Sequence, residues 1–598
     1  MENKKQAIIL SGVAIVALLA LIIGATYAYF RASGNSGSNT DINVTTYTLD
    51  LLSFEMGSDI KINADQTSFA SGKGNATGST FAKAILTANN KTNTATKNYY
   101  MYLNISNNTF TYTQNENTPE LLLTITDVSG NAITSITGLT YKTVIDGKGT
   151  SVSGFDITTK SGLLTLFDNR EITASPTKTE EWNVTVTFVN YNVNQTGNAG
   201  KSFNAKLMIQ QEEYELTLAD ICAGKTLSDC VISQYTGTQG DNALYYHNST
   251  LTNGAGDNSY RYAGGDYVLT EAGKATGATM MIGYNNSVTT ALIDFYCNGT
   301  KQYVGYASSC STSHYYLIKG DTTQYQTYNE ALNASVEKGY LTKDNVKNFV
   351  CFGSDATTCP TENLYRIIGV FNNHVKLIKY DYAKSSLLGT DGDFSQEYTS
   401  NYFSGEQGES PSSNSLYYWN NAGTNTWSAS KLNTVNLNTN FTTNIGTAWA
   451  NKIATTTWKV GGGTYANLRD AVPKTAYQYE VGSSASTTTY DAKIGLMYVS
   501  DYYYSASPSA WTLVGYNSDY TKSYASAKGE NWLYGGGWDW TISRYSDNSY
   551  RAFYVYGYGY VYYDYVNCNN GVRPSFSLLS STTYVSGSGS MSDPVRIN

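Results

Sequence analysis

The sequence has little charge, little histidine and no excess of basic residues. Charged residues make up 14% of the 598, and 39 lysines and arginines face 47 aspartates and glutamates, for a net charge of −8 at pH 7. That balance argues against nucleic-acid binding, which needs a basic stripe. Only three histidines occur, His247, His314 and His374, and they are scattered. No C-x-x-C occurs either, so zinc is not expected. The triple-glycine runs Gly461–Gly463 and Gly535–Gly537 lack the lysine and strand-to-helix context of a phosphate loop and read as turns. Asp391, Asp393 and Glu397 place oxygen ligands in a tight loop but do not complete an EF-hand, so they read as a solvated acidic turn. No Ser/His/Asp set and no paired-carboxylate site can be picked out. No metal, no cofactor and no catalytic residue is expected, and the chain does not read as an enzyme.

What is present favours strands. The hydrophobic fraction is 41%, enough to bury cores, and Thr, Ser, Asn, Gly and Tyr abound. The length exceeds what one core supports. The expectation is a multidomain, mainly β protein in four parts. Residues 1–33 form a signal peptide or membrane anchor, because Lys4 and Lys5 precede an apolar run from Ala7 to Ala25. Residues 34–213 alternate in "YYMYLNISN", "LLLTITDV" and "EWNVTVTFVNYNV" and read as a β-sandwich stalk. Residues 214–360 hold six cysteines in three near pairs, Cys222 with Cys230, Cys297 with Cys310 and Cys351 with Cys359. Outside the cytosol that spacing predicts three local disulfides and a small pinned module, with an insertion between "NSYRYAGGDY" and "NFVCFGSDATTCP". Residues 361–598 form an α+β domain. In it Asn372-Asn373 turns a hairpin, "SKLNTVNLNTNF" and "NIGTAWANKI" form short helices, and "IGLMYVSDYYY" forms a strand.

Two resemblances attach to these parts. "GATYAYF" and "WNVTVTFVNYNVNQTGNAGKSFNAKLMIQQ" make the N-terminal part similar to camelysin-type exported matrix proteins of Gram-positive bacteria. Protease activity ascribed to some of that family is not carried over, since no H-E-x-x-H occurs. The order of Gly537-Trp538-Asp539-Trp540-Thr541 and Gly571-Val572-Arg573-Pro574 resembles the C-type-lectin-like fold, in the branch of formylglycine-generating enzyme. That resemblance implies structural roles for Trp538, Trp540, Gly571 and Arg573: indoles in the core and an arginine that pins strands. It implies no catalysis, because Cys568 has no cysteine partner of the catalytic type.

The segment "RAFYVYGYGYVYYDYVNCNN" raises the functional question. Tyr554, Tyr556, Tyr558, Tyr560 and Tyr562 share one parity and Phe553, Val555, Gly557, Gly559 and Val561 the other. As one strand it would carry a row of phenols about 26 Å long on one face. Framework residues (Ala552, Phe553, Val555, Val561, Val566) alternate here with Tyr, Asn, Ser, Asp, Gly, Arg and one Cys. An AAC codon with randomised adenines can encode every one of those fillers and never a stop. The pattern resembles the variable region of diversity-generating-retroelement target proteins, which lies near the C-terminus of a C-type-lectin-like domain. The resemblance implies a diversified ligand-binding surface made by Tyr545, Asn548, Tyr550, Tyr554, Tyr556, Tyr558, Tyr560, Tyr562, Tyr563, Asp564, Tyr565, Asn567 and Asn569.

The expected function is therefore an exported bacterial surface protein, membrane-anchored or secreted, that displays a binding head. Its ligand would be a protein or glycan on another cell or phage. The alternatives are a matrix or coat component that assembles with itself through the tyrosine-rich strand, and an exported hydrolase.

Overall fold

The computed structural model describes residues 50–598 apart from 66–68, 70–71, 90–93, 215, 283–289, 303–309, 311–312, 344, 399–413, 517–529, 536 and 558. The apolar run of the expected anchor lies outside the described residues. Among the described residues no helix is long and apolar enough to cross a membrane. The protein is mainly β, with several sheets. It divides into two compact units at Leu216–Thr217.

The N-terminal unit is built from two antiparallel sheets that share one core. The six-stranded sheet runs Leu51–Met56, Ala76–Thr87, Thr177–Phe188, Leu121–Asp127, Ser151–Asp156, Tyr141–Ile145; the four-stranded one runs Ile60–Asn63, Ser202–Gln210, Ala95–Asn108, Gly162–Ala174. The alternation read from the sequence is the reason. In Ala76–Thr87, Thr80, Ala82, Ala84 and Leu86 point inward while their neighbours do not. Inside, Trp182 donates its indole N–H to Tyr99 Oη at 2.9 Å, and Tyr99 donates to Glu180 at 2.7 Å. Burial and Glu180 hold the Tyr99 phenol far above its usual range, so this chain of bonds stays intact at any physiological pH.

The three disulfides form as the spacing predicts: Cys222–Cys230, Cys297–Cys310 and Cys351–Cys359. Each closes a short loop and contributes about 2–3 kcal/mol by restricting the unfolded chain. The expected boundary at 360 is not seen. Segment 214–360 does not stand as a module of its own, because its ends are strands of the C-terminal unit's main sheet. Tyr260–Tyr262 and Phe349–Cys351 both pair with Leu364–Phe371, and Cys222, Cys230 and Tyr262 lie in the same core as Trp540 and Phe553. Between those two strands sits the expected insertion. It carries a separate small core around Phe295, Tyr316 and Leu332, and the capped helix Tyr328–Glu337.

The main sheet continues from Leu364–Phe371 through His374–Lys379 to Ser575–Ser577 and Ile494–Gly495. The hairpin at Asn372-Asn373 forms, with φ of +48° and +64°, as a tight two-residue turn requires. "SKLNTVNLNTNF" becomes the π-helix Leu432–Phe441. Its asparagines reach out to the backbone: Asn436 Nδ2 donates to the carbonyls of Leu388 and Asp391, and Asn438 Nδ2 to that of Ile494.

Two expectations are corrected here. "IGLMYVSDYYY" is a two-residue strand followed by the helix Val499–Tyr504, all six residues of it buried. A helix buried on every side shows no amphipathic period to read. Its start is marked by buried carboxylates: Asp501 accepts the Tyr498 N–H, and Glu480 accepts those of Val499 and Ser500. Burial pushes Glu480 up to about 7. The acidic turn is solvated at Asp391 and Glu397, which are exposed, but not at Asp393. Asp393 is 2% exposed and accepts the N–H groups of Asn421 and Leu432 at 3.0 and 2.8 Å. Asp391 accepts from Asn440, and Glu397 from Ser415. These carboxylates fasten loops, and among the described residues no cluster of three His, Cys, Asp or Glu could hold a metal.

Candidate functional site

The tyrosine-rich segment is a hairpin and not one long strand. Arg551–Val555 and Val561–Tyr565 pair antiparallel, with Val555 opposite Val561, Tyr554 opposite Tyr562 and Phe553 opposite Tyr563. The turn lies between, where Gly559 takes φ +88°, a conformation glycine adopts without penalty. Gly557 and Gly559, which share the parity of Phe553, Val555 and Val561, are therefore turn residues. Arg551–Val555 is the middle strand, with Asp539–Arg544 on its other side.

The backbone of this hairpin is held from outside. Asn425, 1% exposed, donates its Nδ2 to the carbonyls of Tyr545, Asn548 and Arg551 at 2.9, 2.6 and 2.8 Å. Tyr534 Oη donates to the Gly557 carbonyl at 2.5 Å and Tyr502 Oη to that of Gly559 at 2.7 Å. Thr541 Oγ1 donates to the Phe553 carbonyl at 2.7 Å. Not one of these bonds uses a side chain of residues 545–570. The inward side chains are equally fixed: Ala552, Phe553, Val555, Val561 and Val566 are at most 1% exposed.

The two motifs that frame the segment meet in space. Trp540 N–H donates to the Gly571 carbonyl at 3.1 Å and Gly571 N–H to that of Trp538 at 2.9 Å. Trp540 is fully buried and its indole donates to the Tyr417 carbonyl. Arg573 pairs with Asp539 at 2.5 Å and donates Nη2 to the Leu533 carbonyl at 2.7 Å. Burial pushes the Asp539 carboxyl up to about 6, against the pull of Arg573.

What faces outward is aromatic and cationic. Tyr562 and Tyr563 stack at 4.7 Å and 11°. The Arg469 guanidinium lies 4.6 Å over Tyr562 and 4.6 Å over Tyr465. On the far side Arg551 lies 4.8 Å over Tyr563 and 4.7 Å over Tyr565, and Tyr565 stacks on Tyr550 at 5.7 Å. The result is one column of alternating rings and guanidinium planes. Beside it Tyr556 stacks on Trp538 at 5.5 Å and on Tyr560 at 5.1 Å. Tyr550 and Tyr565 are each 46% exposed, Asn567 is exposed, and Tyr545, Asn548, Tyr556, Tyr560, Tyr562, Tyr563, Asp564 and Asn569 are half-buried.

Several placements depart from expectation. Tyr554 is 4% exposed, its ring against Trp538 and Trp540, so a ligand outside the fold does not reach it. Trp538 is not a core indole but half-buried beside Tyr556. Tyr558 lies outside the described residues. Tyr465 and Arg469 were not foreseen. They arrive because Gly461–Gly463 lies against the strand end at Arg544, where a Cβ on Gly462 would sit 1.9 Å from the Arg544 carbonyl oxygen. The helix Tyr465–Leu468 begins directly after and lays its residues on the hairpin. The glycine run was the available signal.

Cys568, the free cysteine among the described residues, is half-buried, and burial and Asp564 push its thiol up to about 11. Alkylation of the native chain at Cys568 is therefore expected to be slow at pH 8 and to speed up about tenfold per pH unit above it, since the thiolate is the nucleophile. Fast labelling at pH 8 would contradict this environment. A scan against protein-family models finds no match to the chain, and no curated protein matches it either.

Proposed function

We propose that the chain is an exported surface protein whose C-terminal unit is a C-type-lectin-like binding head, carried by a β-sandwich stalk, and that the tyrosine-rich hairpin is its diversified ligand-binding face. One observation carries the reading: carbonyls of the hairpin are held by side chains from outside 545–570 and its inward side chains are buried, while Asn548 and Asp564, among the outward residues, bond only the neighbouring N–H groups of Tyr550 and Tyr565. A surface organised in that way accepts new side chains without losing the fold. Tyrosine suits such a surface because it offers large contact area with few torsions to freeze. Trp, Tyr and Arg together are the usual makings of binding hot spots. Disulfides outside the cytosol agree with export.

A second reading, assembly of the chain with itself, has its own support. Val561–Tyr565 is the outer strand of its sheet and pairs on one side only among the described residues, an edge that another chain could join. Filaments that grow with concentration of the pure protein would favour this reading over a ligand-binding head. The hydrolase alternative would need turnover on a peptide or glycan panel.

The division between frame and filler can be measured by stability. Tyr550→Ser and Tyr565→Ser are each expected to cost less than about 1 kcal/mol, as exposed positions do. Phe553→Ala is expected to cost about 3–5 kcal/mol. Similar costs at the three positions, read by urea unfolding, would refute a face free to vary on a fixed frame.

A further inference from the structure

The column of rings and guanidiniums has a charge imbalance that says what it fits. Among the described residues Arg551 makes no ion pair: its polar contact is the Tyr565 hydroxyl, to which Nη2 donates at 3.2 Å. Among the described residues its Nε is buried without a hydrogen-bond partner, and so is that of Arg469. Arg469 pairs with one carboxylate among the described residues, Asp470 at 3.5 Å and half exposed. The nearby acids are turned elsewhere. Asp564, opposite Ala552, shares a face with Tyr562 and not with Arg551, accepts the Tyr565 N–H and interacts with Cys568, and Asp547 accepts from Ser546. Stacking occupies the faces of a guanidinium and leaves its rim of donors for in-plane bonds to carboxylate oxygens. In a chain of net charge −8, two stacked arginines at a tyrosine surface mark a place for negative charge. Alongside runs the open edge of Val561–Tyr565, whose backbone pairs on one side only among the described residues.

We infer that the ligand is an acidic protein segment that binds extended along Val561–Tyr565 and sets its Asp or Glu carboxylates on Arg551 and Arg469. The inference rests on the tyrosine face being the binding surface and names the chemistry of its partner. The open edge supplies main-chain hydrogen bonds to an added strand, and side chains at alternate positions then meet the column. A glycan has no strand backbone to offer that edge, which favours a peptide over an acidic polysaccharide. Arg551 lies inside the diversified segment, whereas Tyr465 and Arg469 lie outside it. A fixed half of the column would therefore serve every variant of the face, and the variable half would select among acidic sequences.

The test uses the full chain and three probes: a fluorescent peptide alternating Glu and Val, the same peptide with Lys for Glu, and polygalacturonate as a carboxylate-bearing glycan. The Glu peptide is expected to bind at least about tenfold more tightly than the Lys peptide, with the difference shrinking as salt is raised. Arg551→Gln is expected to lose tenfold or more for the Glu peptide, and Arg551→Lys to recover only part, because it lacks the planar fork. The thermal transition of both variants is measured alongside, so that a lost fold is not read as lost binding. No binding of the Glu peptide, or equal binding of the two peptides, overturns the inference, and tighter binding of polygalacturonate overturns it in favour of a glycan. If a ligand of the wild-type face is insensitive to Arg551→Gln but lost on Tyr556→Ala with Tyr560→Ala, the charge inference fails and the binding face stands. Insensitivity to both means the face itself was misassigned.

Discussion

Arg573→Ala is expected to cost the C-terminal unit about 3–5 kcal/mol, the loss usual when one partner of a buried ion pair is removed. The side chains of Arg573 and Asp539 are only 4% and 1% exposed, so Asp539 would be left as an uncompensated charge. The Leu533 carbonyl would lose its donor as well. The effect has a pH signature. Asp539 is pushed up to about 6 in the fold, above the ordinary aspartate value of about 3.9. A carboxyl that holds its proton more tightly when folded contributes stability that is complete below the unfolded value and is lost as pH rises through the folded one. Removing Arg573 raises the folded value further. The deficit of the variant should therefore be smallest near about pH 4 and grow towards neutrality, and Asp539→Asn in the same background should recover part of it at pH 7. A deficit that does not change with pH would mean that packing, and not charge, explains the arginine.

Tyr556→Ala combined with Tyr560→Ala is expected to weaken binding of the wild-type face's own ligand by about 100-fold or more. Central tyrosines of an interface are worth about 2 kcal/mol each on truncation, and every 1.4 kcal/mol is tenfold. The two rings stack on one another and on Trp538, so removing both takes away a continuous apolar surface. The hairpin turn is fastened through the carbonyls of Gly557 and Gly559, which accept from Tyr534 and Tyr502. The thermal transition should accordingly move by only a few degrees. Full affinity in the double variant would remove these residues from the site.

The sequence shows where period and chemistry are local. The inward parity of Phe553, Val555 and Val561 is legible and those residues are buried. So are the cysteine pairs and the Asn372-Asn373 turn. The misreadings have physical causes. The helix Val499–Tyr504 is buried on all sides, so nothing periodic marks it. The tyrosine run turns at Gly557 and Gly559, the latter at positive φ, inside a composition that otherwise favours a strand. Asp393 reads as a surface residue because its partners, the N–H groups of Asn421 and Leu432, are brought to it only by the fold. Asn425, Tyr465 and Arg469 are long-range contributions of the same kind. No local pattern announces an asparagine that clamps three carbonyls more than a hundred residues away in the chain.

The central claim is that the outward residues of 545–570 vary on a fixed frame, and the coding sequence tests it most directly. If adenine mutagenesis of AAC codons produced the face, the third base of its tyrosine codons should be almost uniformly C, because the template's third base never changes. Tyrosines elsewhere in the chain should follow ordinary usage. A near-copy of the stretch should lie close by in the genome beside a reverse-transcriptase gene, with adenines wherever the two differ. Codons for Ala552, Phe553, Val555, Val561 and Val566, all buried, should match between the copies. Sequencing the gene and a few kilobases on either side is predicted to find that pattern. Mixed third bases in the tyrosine codons, together with no neighbouring repeat, would contradict it.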